Sequence, residues 1–273
     1  MFRCLLAACL MLPGLVWGGQ TAPARVVSLG GSVTEIIYAL GRGDVLVASD
    51  ASSLYPKAAT VLPQIGYYRA VPIEGVVAQS PDLVLASEHA GPPQALARLD
   101  ELGVRVKTVT DKPALDSLYQ RIGLVAQALM VPNAGRSLVQ QVRRDVAAAQ
   151  ATAAPSRRAL VLVNRSGPLM AAGQNTAANA ILELAGLSNA FSDQTGYKPV
   201  SAEGLAMLEP ELIIITEASL QASGGMEKLR ASAGIASTPA AKRGRMLVMD
   251  DLLIQGIGPR VALAIEQLKD AAR

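Results

Sequence analysis

The stretch VPIEGVVAQSPDLVLASE, Val71 to Glu88, returns later in the chain as VSAEGLAMLEPELIIITE, Val200 to Glu217. The two align without a gap, and six of the eighteen positions are identical. Several of the others are similar, among them Asp82 with Glu211 and Ser87 with Thr216. Each copy reads as a short helix, a proline that breaks it, and an apolar strand closed by an acid. Two similar apolar strands can arise by chance. The shared Glu-Gly, the proline followed by an acid, and the terminal glutamate at fixed spacing point instead to duplication.

The flanking sequence extends both copies. RVVSL, Arg25 to Leu29, is a β-branched run followed by Gly30-Gly31. Ser32 and Glu35 fit a capping box ahead of the apolar helix Ile36 to Leu40. Strands are expected at 45–48, 82–86 and 104–109, with helices at 73–79, 96–102 and 114–130. Past Pro155 the alternation resumes, with strands at 159–163, 212–216 and 246–249, a helix at 176–185, and a final helix after Gly258-Pro259. Alternating strands and helices imply parallel sheets. The prediction is an α/β protein of two similar lobes, residues 24–131 and 155–273, joined by a linking helix and linker over 132–154. The helix runs from about Ala134 to Gln150, spans about 25 Å, and can brace two lobes side by side. Ligands of parallel sheets lie beyond the carboxyl ends of the strands, so facing lobes would pool their loops into one ligand cleft.

Composition narrows the function. The chain has 273 residues, 51% of them apolar and 17% charged, with a net charge of +3. It can fill a core, and it has no basic block of the kind that binds nucleic acid. Residues 1–19 read as a secretory signal: Arg3, an apolar run from Leu5 to Val16, then small residues for cleavage. The run is too short to span a membrane. The LAAC ending at Cys9 resembles a lipoprotein box but stands too near the start for an apolar region to precede it. Removal of the signal takes away Cys4, Cys9 and Trp17, leaving a cysteine-free, tryptophan-free exported chain with His89 as its one histidine. A bacterial periplasm is the natural compartment. There is no GxGxxG, P-loop or GxSxG pattern, and a lone histidine without cysteine excludes most zinc sites and thiol catalysis. The chain reads as a binding protein rather than an enzyme, and as a monomer.

Within this aromatic-poor chain IGYYRA, Ile65 to Ala70, places two tyrosines beside an arginine. In an extended chain residues i and i+2 share a face, so Tyr67 and Arg69 would point one way and Tyr68 the other. The ungapped repeat pulls against that choice. It pairs Tyr68, not Tyr67, with Tyr197, and Arg69 with Lys198. One inserted residue in a loop would restore the pairing of Tyr67 with Tyr197.

The export signal, duplicated lobes and single linking helix resemble the periplasmic solute-binding proteins of ATP-driven iron-complex and cobalamin importers. Three stretches are similar to the haem-binding branch of that family: GYYR followed by IEG, MAAGQNTAA from Met170 to Ala178, and GYKPVSAE from Gly196 to Glu203. The resemblance covers essentially the whole mature chain, and G-Y-x-R is its specific element. It implies ferric haem as the transported ligand, with no catalytic cofactor, Tyr67 as axial iron ligand and Arg69 hydrogen-bonded to the phenolate. Tyrosinate is an established ligand for ferric iron, and the metal and a nearby guanidinium both favour the ionised phenol.

Around this centre Tyr68 is expected as support for the haem site. Tyr197 would border the macrocycle from the second lobe, and Met170 would press on its far face or fill the core. Arg165 and Arg260 are candidates for the propionates, with a solvated position favoured for each. Some family members supply a second-lobe histidine to the iron. The corresponding loop here, NRSGP from Asn164 to Pro168, has none, so five-coordinate iron is expected and His89 reads as a surface-loop residue near the cleft mouth. Glu74 and Glu203, one per lobe, resemble the glutamates that dock on arginines of the inner-membrane permease, whose ATPase subunits drive import. The competing readings are the same fold carrying cobalamin or a ferric siderophore, an exported α/β enzyme, or a scaffolding domain.

Overall fold

A computed structural model describes residues 21–164 and 167–273 of the chain. The expected export segment, residues 1–19, and Arg165 lie outside them.

The first lobe is a parallel four-stranded sheet in the order β2-β1-β3-β4. Its strands are β1 (Val26–Leu29), β2 (Leu46–Ser49), β3 (Leu83–Ser87) and β4 (Arg105–Val109). Helices α1 (Gly31–Ala39), α2 (Ile73–Val77), α3 (Pro93–Glu101) and α4 (Leu115–Ala128) connect and cover them. Strands β1 and β3 are buried along their whole length, as the central strands of a parallel sheet must be, which is why VVSL and LVLAS are nearly unbroken apolar runs. β4 carries Arg105 and Lys107 outward on the edge, where charge discourages pairing with another chain.

Helix α5 (Pro132–Ala151) then runs for 20 residues, about 30 Å, between the lobes. The second lobe holds β5 (Arg158–Val163), β6 (Met170–Ala172), β7 (Ser188–Asn189), β8 (Tyr197–Pro199), β9 (Leu212–Thr216) and β10 (Met246–Met249). They form a six-stranded sheet in the order β10-β9-β5-β6-β8, with β7 on β5. Its helices are α6 (Ala177–Leu184), α7 (Ala202–Leu208), α8 (Glu217–Ala222), α9 (Met226–Ala231), α10 (Pro239–Lys242), α11 (Asp251–Gln255) and α12 (Val261–Ala272). β3 and β9, with α2 and α7 before them, are the two copies of the repeat.

Two expectations are corrected. The second sheet is parallel only through β10, β9, β5 and β7; β6 and β8 run antiparallel. These strands have three residues each, too few for a period of two to show. The capping box on α1 does not form. Gly30 is its N-cap without a side-chain bond, and Ser32 and Glu35 are both buried and engaged elsewhere.

One hydrophobic core crosses the molecule. It includes Ile36, Leu118 and Ile122 of the first lobe, Val142 and Val146 of α5, and Ile181, Ile265 and Leu268 of the second. Alternation along the strands sorts side chains between layers: Val26 of β1 joins this shared core, while Val27 and Leu29 face a separate outer one with Val84 and Leu99. A polar tie reinforces α5. Buried Lys269 of α12 donates to the carbonyls of Ala149, Gln150 and Thr152 at 2.9, 2.7 and 2.7 Å. Its three donors satisfy carbonyls at the end of α5, where the helix dipole favours a cation. The linking helix is therefore anchored to the second lobe by charge as well as by packing.

Candidate functional site

The carboxyl ends of both sheets open into one cleft of about 820 Å³, lined from both lobes. That volume falls within the range of small-molecule sites, about 300–1,000 Å³. The first lobe contributes Gly30 to Ser32 after β1, Ala51, Ser52 and Leu54 after β2, Tyr67 to Arg69, His89 after β3, and Asp111 to Pro113 after β4. The second contributes Val163, Asn175 to Ala177, Gly196 and Tyr197, Ala218, Asp251 and Leu252, and Gln255 to Ile257.

Asp50 organises the first wall, a role that sequence reading missed. Its fully buried carboxylate follows β2 and accepts from the Gly30 N–H at 2.8 Å, the Ser52 N–H at 3.0 Å, the Ser53 hydroxyl at 3.1 Å and the Tyr68 N–H at 3.3 Å. One side chain thus fixes the β1 turn, its own loop and the tyrosine pair. The turn also demands glycine: a Cβ on Gly31 would sit 2.3 Å from the Ser52 carbonyl oxygen. An aspartate ending a buried strand was the available signal.

The tyrosine segment is not extended throughout. Tyr67 has extended backbone, but Tyr68 to Ala70 form a 3-10 turn closed by the Ala70 N–H on the Tyr67 carbonyl at 2.9 Å. Tyr68 is therefore not turned away, and Tyr67, Tyr68 and Arg69 all line the cleft. The two rings meet edge to face, centroids 4.9 Å apart at 71°. Tyr67 is the outer ring, 39% exposed, and Tyr68 packs against the outer core. The Arg69 guanidinium lies over the Tyr68 ring, 5.0 Å from its centroid, and among the described residues no hydrogen bond joins it to Tyr67.

Burial pushes the Tyr68 phenol up to about 12; Arg69 opposes the rise, while the charges of Tyr67 and Asp111 and a hydrogen bond with Tyr67 add to it. Burial thus disfavours ionisation of Tyr68, and Tyr67 is the more exposed ring of the pair. Backbone conformation also bears on the register of the repeat. Gly66 and Gly196 both have positive φ, 95° and 76°, and the residue after each, Tyr67 and Tyr197, is extended. That matches Tyr67 to Tyr197 with a one-residue shift from the ungapped alignment.

In the second wall, Tyr197 lies on β8 and lines the cleft. The MAAGQ stretch that precedes α6 is held by close backbone approach. The Gly173 N–H donates to the Gly196 carbonyl at 2.9 Å, and a Cβ on Gly173 would meet the Gln194 carbonyl oxygen at 2.1 Å. Met170, at the start of β6, pairs with Val163 and Pro199 and is not among the lining residues. Exposed His89 lines the cleft from the loop after β3.

Arg260 is neither solvated nor in the cleft. It reaches across the lobes to Glu35 at 3.2 Å, binds Asp250 at 3.2 Å, and lies 3.5 Å over the Tyr55 ring. Its backbone N–H also donates to Glu35 at 3.1 Å. Burial pushes the Glu35 carboxyl above its ordinary 4.5, against the pull of Arg260. A second tie runs the opposite way. Fully buried Arg121 of α4 donates to the Thr110 carbonyl at 3.0 Å, to Asp111, and to the Ile257 carbonyl of the second lobe. These two ties bracket Gly256 and Ile257, which line the cleft.

Glu74 and Glu203 are exposed in the first turns of α2 and α7, and neither lines the cleft. Hydrogen bonds from its own N–H and from Ser201 hold the Glu203 carboxyl below its ordinary value. Among the described residues no cluster of His, Cys, Asp or Glu could hold a bare metal ion, and no helix is long and apolar enough to cross a membrane.

Residues 26–252 match the model of the periplasmic binding protein family, and the chain belongs to that family of substrate-binding proteins. Among solved structures, it is similar to the periplasmic heme-binding protein RhuT from Roseiflexus sp. RS-1, at 37% identity and a TM-score of 0.86 over 91% of this chain and 99% of that one. The periplasmic heme-binding protein BhuT in complex with two hemes gives 38% identity and a TM-score of 0.85, again over 91% and 99%. Among curated relatives, the vitamin B12-binding protein of Photorhabdus laumondii is 28% identical over 251 residues, 90% of this chain and 87% of that protein.

Proposed function

We propose that this member of the periplasmic binding protein family is exported by residues 1–19, captures ferric haem in its cleft through the Tyr67 phenolate, and delivers it to an ATP-driven inner-membrane importer. The observation that carries the reading is the first wall: Tyr67 and Arg69 of the G-Y-x-R element line the cleft together, with Tyr68 packed beneath, where burial disfavours its ionisation. Iron inside a porphyrin already has four nitrogen ligands, so one hard anionic oxygen is a sufficient protein ligand. Tyr197 would border the macrocycle opposite. Arg69 would leave the Tyr68 ring for the phenolate once iron draws the Tyr67 proton off. Met170 supports β6 rather than pressing on the ligand.

Glu74 and Glu203, exposed and outside the cleft, are assigned to docking on the permease. Reversing both charges should spare haem binding and impair transfer to the importer; lost binding would argue against docking roles. A second reading, cobalamin as ligand, is favoured by the vitamin B12-binding relatives. Titration of the purified protein with hemin and with cyanocobalamin separates the two. A saturable change in the haem absorption band with no cobalamin binding is expected; no haem response would refute the proposal.

A further inference from the structure

Among the described residues, the basic side chains that line the cleft all stand on the first wall. Arg69, His89 and Lys112 come from three separate loops of the first lobe. Among the described residues, the second lobe contributes no Lys, Arg or His to the lining. The two acids that share the cleft are engaged. Asp111 accepts from Ser87 at 2.8 Å, from Ser32 at 3.4 Å and from Arg121, and Asp251 accepts from the Ala218 N–H at 2.9 Å and the Gln255 amide at 3.1 Å.

The loops that carry two of these basic side chains are pinned at their backbones. The His89 N–H donates to the Ser87 hydroxyl at 3.1 Å, and the Lys112 N–H donates to the Ser117 hydroxyl at 3.0 Å. Their side chains are exposed, and among the described residues neither enters a salt bridge. Glu88 is the acid whose charge reaches both, and it already accepts from the Asp111 N–H and the Thr110 hydroxyl. Arg69, by contrast, rests on Tyr68 beside the proposed iron ligand.

We infer that Lys112 and His89 form a carboxylate subsite at the mouth of the cleft, so that both propionates of the ligand leave along the first wall. The inference rests on the haem reading and adds orientation and selectivity to it. Haem carries two carboxylates on one edge of its ring, and an ammonium and an imidazole N–H are the donors that suit them. A corrin edge bearing amides offers this wall no carboxylate. The first lobe then supplies the carboxylate donors, and the second lobe faces the ring from the other side.

Hemin and its dimethyl ester, in which both carboxylates are capped, test this when titrated into the wild type and a Lys112→Ala/His89→Ala variant. The wild type should prefer hemin by about tenfold. The double variant should lose most of that preference through weaker hemin binding. Its affinity for the ester and the spectrum of its complex should stay unchanged, which also shows that it is folded. Lys112→Arg should keep the preference. Equal wild-type affinity for both compounds, or a preference that survives in the double variant, overturns the subsite and leaves the haem reading standing. No saturable binding of either compound to the wild type overturns both.

Discussion

Ser87 and Thr216 end equivalent strands of the repeat, yet their hydroxyls build different walls. Thr216 accepts from the Ser219 N–H at 3.3 Å and starts α8 at once, so the second wall receives Ala218 there. Ser87 donates instead to Asp111 and accepts from His89, which keeps its loop open and puts a histidine at the cleft. The same divergence separates Gly66-Tyr67, followed by a tight turn that adds Tyr68 and Arg69 to the wall, from Gly196-Tyr197, which continues into β8. On the proposed reading, two copies of one unit would divide into a wall that recognises and a wall that encloses. The chemistry of a duplicated site is set less by its strands than by what the hydroxyl that ends each strand bonds to.

That division requires the walls to keep their spacing, and the largest effect is expected where the spacing is enforced. Arg260→Met leaves Glu35 buried without its cross-lobe partner and should cost about 3–5 kcal/mol in urea unfolding. A loss below about 1 kcal/mol would mean that the shared core alone sets the cleft. Next comes the contrast between the tyrosines. Tyr67→Ala should weaken hemin binding by about a hundredfold, roughly 3 kcal/mol, while Tyr197→Ala should change it by about fivefold or less. Equal losses would erase the distinction between the walls. Asp50→Ala strips an acceptor from three N–H groups and a hydroxyl, and should cost about 2 kcal/mol of stability together with weaker hemin binding. Unchanged binding in a folded Asp50→Ala protein would show that Tyr67 is positioned without it.

The smallest effect is a pH dependence at the cross-lobe ion pair. Burial holds the folded-state pKa of Glu35 above its ordinary 4.5. The native state therefore binds the proton more readily than the unfolded state. The stability this group contributes is full below the unfolded pKa and is lost as pH rises through the folded value. Glu35→Gln cannot titrate, so the stability of the wild type relative to this variant should decline as pH rises from 4.5. A relative stability that grew instead would mean that Arg260 outweighs burial.

The sequence announced the architecture because burial wrote it there. VVSL, LVLAS and LIIIT are strands buried on both faces, and the repeated Glu-Gly and Pro-acid pairs mark both lobes. The long α5 was legible from Pro132 and the spacing of Val142 and Val146. β6 and β8 were hidden because they are short and depend on pairing across the chain. The site was half legible. G-Y-x-R marked the wall, but an extended-chain argument sent Tyr68 the wrong way, because a 3-10 turn leaves no trace in three residues. Arg260, Glu35 and Arg121 were misread or missed for one reason. Each is a polar side chain whose partner lies far along the chain, and a buried ion pair is invisible until both halves are in place.

The proposed haem site puts the iron on one tyrosine of the pair. It is tested most directly by the visible spectra of hemin complexes of Tyr67→Phe and Tyr68→Phe, each of which removes a single oxygen. The prediction is that Tyr67→Phe abolishes the phenolate-to-iron charge-transfer band and Tyr68→Phe retains it. A band kept in Tyr67→Phe and lost in Tyr68→Phe would contradict the assignment and place the iron on the inner ring.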